Sequence, residues 1–421
     1  MARSPSGSSA FGAPHFASVW LSGLIWHLTR WGVAFLGTYL INEMTGSPRL
    51  VQLAGAVLYA PLLVGGVVGG LVSDRVDRLL TVRVQLAVLI PASIAIGLLV
   101  RADRAPVWAI YLYMFTVGVG WVTDMTSRRA LVFDLVGEER IDSGMAMESL
   151  SLSSGMVLGA LVGGSAVEAV GVGSSYFLIA ALLTLAFLIL VPVRSPTLLR
   201  QQGSASPVRD LTDGIGALRA QRGVFSILGV TVIANFFLFA YFPIVPVVAE
   251  RLGATPFLVG LLSAGTGIGM MTGSIVMARL QPRRRGLVYT AGVFVALAFV
   301  VPFALGTNYG VVLASLVCAG FGAGFFGATQ TTLVMAAAPV ALRGRALGLL
   351  SMAIGALPVG MYALGESAER LGVPTALVVN AVIGALALAA WTARRPEVVR
   401  MTSDRPAPAP DSAPALGETR I

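Results

Sequence analysis

The chain has 421 residues, 56% of them hydrophobic and only 12% charged, with a mean hydropathy of +0.84. A soluble domain carries about 25% charged residues, so an ordinary soluble protein is excluded and an integral membrane protein remains. The net charge is +9 and all 29 basic residues are arginine, but they lie in short loops between apolar runs rather than on a patch, which argues against a nucleic-acid partner.

The chain opens on a polar tail, residues 1–15. No cleavage site follows the first apolar run, so that run is expected to be retained as a helix. Twelve runs are expected to cross the bilayer as helices, each of roughly 20 residues against about 30 Å of hydrocarbon. They cover 16–42, 49–72, 80–100, 106–127, 144–168, 175–193, 224–249, 256–278, 287–306, 309–337, 346–366 and 373–393. Between the sixth and seventh lies SPTLLRQQGSASPVRDLTDGIGALRAQRG, which starts with Ser, Pro and Gly and then turns into an expected amphipathic helix over about 207–220. The expected fold class is therefore all-α and integral to the membrane, with twelve transmembrane helices in two six-helix halves. The halves cover 16–194 and 223–395, joined by a linker over 195–222 and followed by a disordered tail over 396–421, rich in Pro and Ala.

Arginine placement sets the expected orientation. With the N-terminus cytoplasmic, 23 arginines fall inside and five (Arg49, Arg101, Arg104, Arg251 and Arg370) outside, with Arg30 left within a span. Loops rich in arginine stay on the cytoplasmic side, so a multi-pass protein of the plasma (inner) membrane with both termini cytoplasmic is expected.

Two pairs of segments hint that the halves repeat. GLVSDR from Gly70 matches GSIVMA from Gly273, and ALVFDLVGEER from Ala130 resembles TLVMAAAPVALR from Thr332, at nearly the same separation. Parallel six-helix repeats are the layout of one large transporter class.

Between the second and third spans stands GLVSDRVDRLL, which places Gly70, Asp74, Arg75, Asp77 and Arg78 within nine positions. This loop resembles the signature of the major facilitator superfamily. TGSP at 45–48, RRALVFDLVGEER at 128–140, DLTDGIGALR before span 7 and RGRALG at 343–348 are similar to the branch that includes enterobactin-type siderophore exporters and macrolide efflux proteins. The commoner signature has a second glycine where this chain has Asp77. The resemblance implies a transporter, with the loop carboxylate Asp74 latching one state of the cycle onto the second half near the start of span 11, around Arg343 and Arg345. The plainer alternative is that the arginines mark the inside and the carboxylates balance them. GMVLGALVGG, with Gly155, Gly159, Gly163 and Gly164, resembles the antiporter signature of span 5, although Ala160 replaces its proline; close helix packing alone would also account for it.

Ionisable groups inside spans are costly and mark candidate substrate or proton sites. His27 and Arg30 of span 1 lie on neighbouring turns, Asp124 near the end of span 4 and Glu148 near the start of span 5. They are expected to form a substrate and proton pocket in the first half, with pairing of Asp124 and Glu148 to Arg128 or Arg129 as the structural alternative. Span 7 contributes Asn235, Tyr241, several phenylalanines, Pro243 and Pro246, and span 10 contributes Gln330. This neutral aromatic surface suits a mostly apolar ligand, unless those rings face lipid or core.

A single cysteine, Cys318, and two histidines, His15 and His27, leave no set for a disulfide, a metal site or a His-based catalytic centre. With no GxxxxGK[ST] loop for ATP, no enzyme activity, cofactor or metal is expected. The leading expectation is proton-driven efflux of a small amphiphilic compound by a monomer whose partners are that substrate, protons and the lipid bilayer. The alternatives are an uptake permease of the same fold and a non-transporting membrane sensor or assembly protein.

Overall fold

The computed structural model describes residues 9–63, 77–194 and 221–402, and no strand occurs among them. The first set of helices is α1 (Phe16–Thr45), α2 (Pro48–Tyr59), α3 (Arg78–Arg101), α4 (Val107–Val136), α5 (Ile141–Val170) and α6 (Val172–Leu190). The second is α7 (Arg222–Glu250), α8 (Pro256–Leu280), α9 (Arg285–Leu305), α10 (Tyr309–Ala337), α11 (Arg343–Leu371) and α12 (Val373–Arg394). Among the described residues nine helices, α3 and α5 to α12, are long and apolar enough to cross a membrane. The helices α1 and α4 are long enough, at 30 residues each, but more polar. The second expected span begins as α2 and passes into residues outside the described set, as does the expected amphipathic helix over 207–220.

Helix ends follow local chemistry. The Ser47 hydroxyl caps α2 by accepting from Leu50 N, with Pro48 in its first turn, and the Asp77 carboxylate caps α3 by accepting from Leu80 N at 2.7 Å. Arg83 donates to the carbonyls of Leu190 and Val193, each at 2.6 Å, and so satisfies the end of α6 with a cation. The helix α4 runs past its expected end at 127, because Leu131, Val132 and Val136 continue its buried stripe until Gly137 turns the chain at φ 67°.

Within the first set α1 packs on α5 and α6, and α3 on α4 and α6; within the second α10 packs on α8 and α9, and α12 on α9. The two sets meet along α5 against α8 and α2 against α11. Glycine makes the closest of these approaches possible. A Cβ at Gly159 would stand 2.4 Å from the Leu28 carbonyl oxygen, and one at Gly155 would stand 2.5 Å from His27 Cβ, so α5 presses its glycine face directly on α1. Gly163 meets the Phe35 ring on that same face, whereas Gly164 faces Pro256 and Gly260 of α8.

Helix α7 is irregular at its centre, with a π turn over Ala234–Leu238 and a 3-10 segment over Phe239–Ile244 that holds Pro243. Proline removes a donor and breaks the ladder. In hydrocarbon the loosened carbonyls need other partners. Gln52 Nε2 of α2 donates to the Ala240 carbonyl at 3.1 Å, and Asn380 Nδ2 of α12 donates to that of Phe237 at 2.7 Å.

Order extends beyond Arg395, into the segment expected to be tail. A further short helix, α13 (Glu397–Arg400), buries Val398 completely, Gly286 N donates to the Met401 carbonyl at 3.1 Å, and Ser226 Oγ donates to Glu397 at 2.7 Å. An apolar plug and two bonds outweigh the disorder-prone composition that follows. The Ser226 hydroxyl holds the Glu397 carboxyl below the usual carboxylate range, so this bond stabilises docking at neutral pH and is lost as pH falls through that lowered value. Ending the chain after Thr402 is expected to leave transport and thermal stability unchanged, whereas ending it after Arg395 should lower the melting temperature in detergent by uncovering the Val398 site, worth about 1.5–3 kcal/mol of apolar burial. Equal melting curves for the two truncations would contradict this.

Candidate functional site

The charged groups of the first half sort into two hydrogen-bonded pairs and one arginine among aromatic rings. His27 Nε2 lies 3.2 Å from Glu148 Oε1, tying α1 to α5. Both side chains are buried, and His27 Nδ1 and Glu148 Oε2 have no hydrogen-bond partner among the described residues. With Glu148 ionised the carboxylate accepts, so Nε2 must carry the proton. Gly155 makes the pair possible, since its missing side chain lets the α1 backbone at His27 sit against α5.

Asp124 forms a different pair. Arg128, one turn along α4, donates Nε–H to Asp124 Oδ1 at 2.8 Å, and its Nη1 donates to the Val19 carbonyl of α1 at 3.0 Å. Both side chains are at most 1% exposed. Gly23 of α1 leaves room for the arginine, whose Cδ would be 3.1 Å from a Cβ there. This is a fully buried ion pair that fixes α4 to α1, the structural alternative open from the sequence for Asp124. Arg129 is exposed and does not take part.

Arg30 is hydrogen-bonded to neither pair, although the charge of Asp124 reaches it. It is 1% exposed and none of its three guanidinium nitrogens is in hydrogen-bond geometry with a described residue. Aromatic faces surround it instead: its Cζ is 3.6 Å from the Trp121 ring centroid, 4.5 Å from that of Trp31 and 5.5 Å from that of Tyr59. Ring quadrupoles favour a cation held this way, and more so away from water. No ion pair joins Arg30 to Asp124 among the described residues.

The second half is neutral at the matching depth. Gln330 Nε2 donates to Thr231 Oγ1 at 3.3 Å, Thr231 shares a hydrogen bond with the Tyr289 hydroxyl at 2.8 Å, and Tyr289 stacks on Phe326 with centroids 5.0 Å apart. Asn235 bonds its own helix at the Thr231 carbonyl, and the Tyr241 hydroxyl meets Thr266 Oγ1 at 3.1 Å. Between the halves lies a cavity of about 60 Å³, lined by Trp31, Phe35, Thr38, Tyr59, Phe242 and Thr266 among others. The Trp31 and Phe242 rings of this lining meet edge to face, with centroids 6.3 Å apart. Trp31 and Tyr59 thus serve twice, as cavity wall and as two sides of the Arg30 cage.

Of the loop signature, Gly70, Asp74 and Arg75 lie outside the described residues. Asp77 caps α3, and Arg78 pairs with Asp134 of α4 at 2.5 Å, within its own half. Arg343 donates to the Met335 carbonyl at 3.1 Å, also within its half; Arg345 lies beside it in the first turn of α11.

The sequence alone did not single out Trp31, Tyr59 and Trp121 or Thr231 and Tyr289. An arginine in a span next to tryptophan is the signal that could have found the first group. For the second, a tyrosine in an otherwise apolar helix needs a buried partner.

A family model described as Major Facilitator Superfamily matches residues 19–360. The chain is 22% identical over 376 residues to macrolide efflux protein A of Streptococcus pyogenes, covering 85% of this chain and 90% of that protein. It is 25% identical over 345 residues to the enterobactin exporter EntS of Shigella boydii serotype 4, covering 80% of each. Among solved structures it is similar to a bacterial homolog of the human lysosomal transporter Spinster, inward-facing and unoccupied, with a TM-score of 0.69 at 13% identity over 93% of this chain and 98% of that one. A POT family transporter in complex with 5-aminolevulinic acid gives a TM-score of 0.72 at 12% identity over 92% and 97% of the two chains. At such identities the solved structures bear on the fold alone.

Proposed function

The chain belongs to the Major Facilitator Superfamily and is a membrane transporter, and on that premise we propose that it exports a small amphiphilic compound in exchange for protons. The observation that carries this reading is the buried His27–Glu148 pair, in a first half that also holds an encaged arginine, opposite a neutral, aromatic second half. Histidine changes charge in the physiological pH range, and a carboxylate beside it offers a second place for the same proton. The aromatic cavity wall supplies apolar contact, and its hydroxyls a few hydrogen bonds. Thr38 and Thr266 of that wall act as orienting groups, Tyr241 steadies Thr266 from behind, Asn235 and Gln330 meet at Thr231 away from the wall, and Arg30 is the attraction for an anionic part of the substrate once Trp31 and Tyr59 part.

Export rather than uptake is favoured by the two relatives named for efflux and export. With both termini cytoplasmic, as the arginine asymmetry favours, the face that bears Arg49, Arg101, Arg251 and Arg370 is external. The contacts between halves there, such as Asn42 to Glu250 at 2.7 Å, close that face. Cells expressing the protein, loaded with a macrolide or with enterobactin, should retain less compound than cells carrying an empty vector. Higher retention would make it an uptake permease, and no change over a broad panel of amphiphiles would favour a membrane sensor.

Asp74 latches the opposite, outward-facing state by a charge-assisted contact to the first turn of α11 at Arg343 or Arg345. Asp74→Asn then keeps expression and substrate binding but slows turnover, because one state loses about 1.5–3 kcal/mol. Turnover equal to wild type would leave the loop with a topological role only.

A further inference from the structure

The face opposite the termini is closed by two contacts of one design, which the sequence repeats. Helix α2 starts at Ser47-Pro48-Arg49-Leu50-Val51 and helix α8 at Thr255-Pro256-Phe257-Leu258-Val259. Each sits against the end of a helix of the other half: α11 ends in Gly365-Glu-Ser-Ala-Glu369-Arg-Leu-Gly372-Val, and α5 in Gly164-Ser-Ala-Val-Glu168-Ala-Val-Gly171-Val. In both the glutamate lies one turn after the first glycine and three residues before the second. The later glycine turns the chain at positive φ, 80° at Gly171 and 79° at Gly372.

The contacts match as the sequences do. Glu369 Oε2 accepts from the Arg49 backbone N at 3.3 Å and from the Ser47 hydroxyl at 2.8 Å. Glu168 Oε2 accepts from the Phe257 backbone N at 2.9 Å. Phe257 N and Arg49 N are first-turn donors that no helix satisfies internally, and Thr255 makes no side-chain cap of its own. Each carboxylate therefore caps a helix of the opposite half and faces the positive end of its dipole. The glycine one turn earlier admits the capped helix. A Cβ at Gly164 would be 2.6 Å from the Pro256 carbonyl oxygen, and one at Gly365 would be 2.7 Å from Gln52 Cβ and 3.4 Å from Arg49 Cα.

We propose that Glu168 and Glu369 are the paired positioning residues of the gate on this face: each holds the transporter closed by capping, in trans, the first turn of α8 or α2, and both caps must break for the face to open. Caps of this kind differ from hydrophobic packing in being made and lost without changing the bundle within either half. The device is two-fold because the halves are, so opening by rotation of one half against the other breaks both together. Arg49 and Arg370 flank Glu369, each within reach of Glu366 at 4.0 Å and 2.6 Å; no ion pair to Glu168 occurs among the described residues.

The inference rests on the chain being an alternating-access transporter, and not on proton coupling, substrate or direction. The test reads the gate without a substrate, so its failure and the failure of the export reading are distinct. In a Cys318→Ser background, Thr38→Cys at the cavity wall is labelled with a membrane-impermeant maleimide from the side opposite the termini. Glu168→Ala and Glu369→Ala should each raise the labelling rate about three- to five-fold, the factor that loss of one ordinary helix cap gives, and the double variant should exceed either. Glu168→Gln and Glu369→Gln, whose amide oxygen still accepts from a backbone N–H, should fall between wild type and alanine, and they serve if the alanine variants do not fold. Glu43→Ala, on the same face but bonded to Tyr39 of its own helix, should leave the rate unchanged. Rates in the folded double variant, or in both glutamine variants, no greater than in Glu43→Ala would overturn the proposal, as would equal acceleration by Glu43→Ala.

Discussion

In proteoliposomes under an imposed pH gradient, Glu148→Gln is expected to move substrate at the same rate with and without the gradient, while the wild type is driven by it. The amide keeps the size and a hydrogen-bond acceptor for His27 Nε2 but cannot take or release a proton. His27→Gln should act in the same way, because the two groups share one N···O contact of 3.2 Å, and the double variant should be no worse than either alone, as groups that work as a unit are non-additive. Arg30→Ala should differ, weakening substrate binding while leaving gradient dependence in place, since Arg30 touches aromatic rings and not the pair. Should Glu148→Gln and His27→Gln both respond to the gradient as the wild type does, the pair is structural.

The second large effect concerns stability. Asp124→Asn leaves the guanidinium of Arg128, 0% exposed, without its counter-charge. Breaking a buried pair by removing one partner costs about 3–5 kcal/mol, whereas replacing both by apolar groups is often neutral. Asp124→Asn should therefore reduce the folded yield in detergent and lower the melting temperature, and Asp124→Leu combined with Arg128→Met should recover much of the loss. A single variant as stable as wild type would mean that water reaches the pair.

Much of this arrangement could be read from the chain. Apolar runs of membrane-spanning length are a local property, and the described helices lie close to where those runs place them. Side-chain partners were harder to read. His27 and Arg30 are three residues apart, which places them on neighbouring turns but rotates them about 60° around the helix axis; that rotation sends His27 to Glu148 on α5 and Arg30 to Trp121 on α4. Asp124 found its partner four residues along its own helix, a spacing visible in the sequence, whereas the room that Gly23 leaves for Arg128 is a matter of packing. The repeated Gly-x-x-x-Glu ends of α5 and α11 escape notice because two anchor residues four apart are common by chance. Their meaning comes from the Ser/Thr-Pro helix starts they meet across the interface.

The most direct test of coupled export is proton movement itself. Purified protein in vesicles loaded with a pH-sensitive dye is given an outward or inward gradient of a compound that the cell accumulation assay shows to be moved, and no imposed pH gradient. The account predicts protons moving opposite to the substrate in the wild type, and substrate movement without protons in Glu148→Gln. Substrate moving through the wild type with no change of internal pH, or protons moving in the same direction as the substrate, would contradict it.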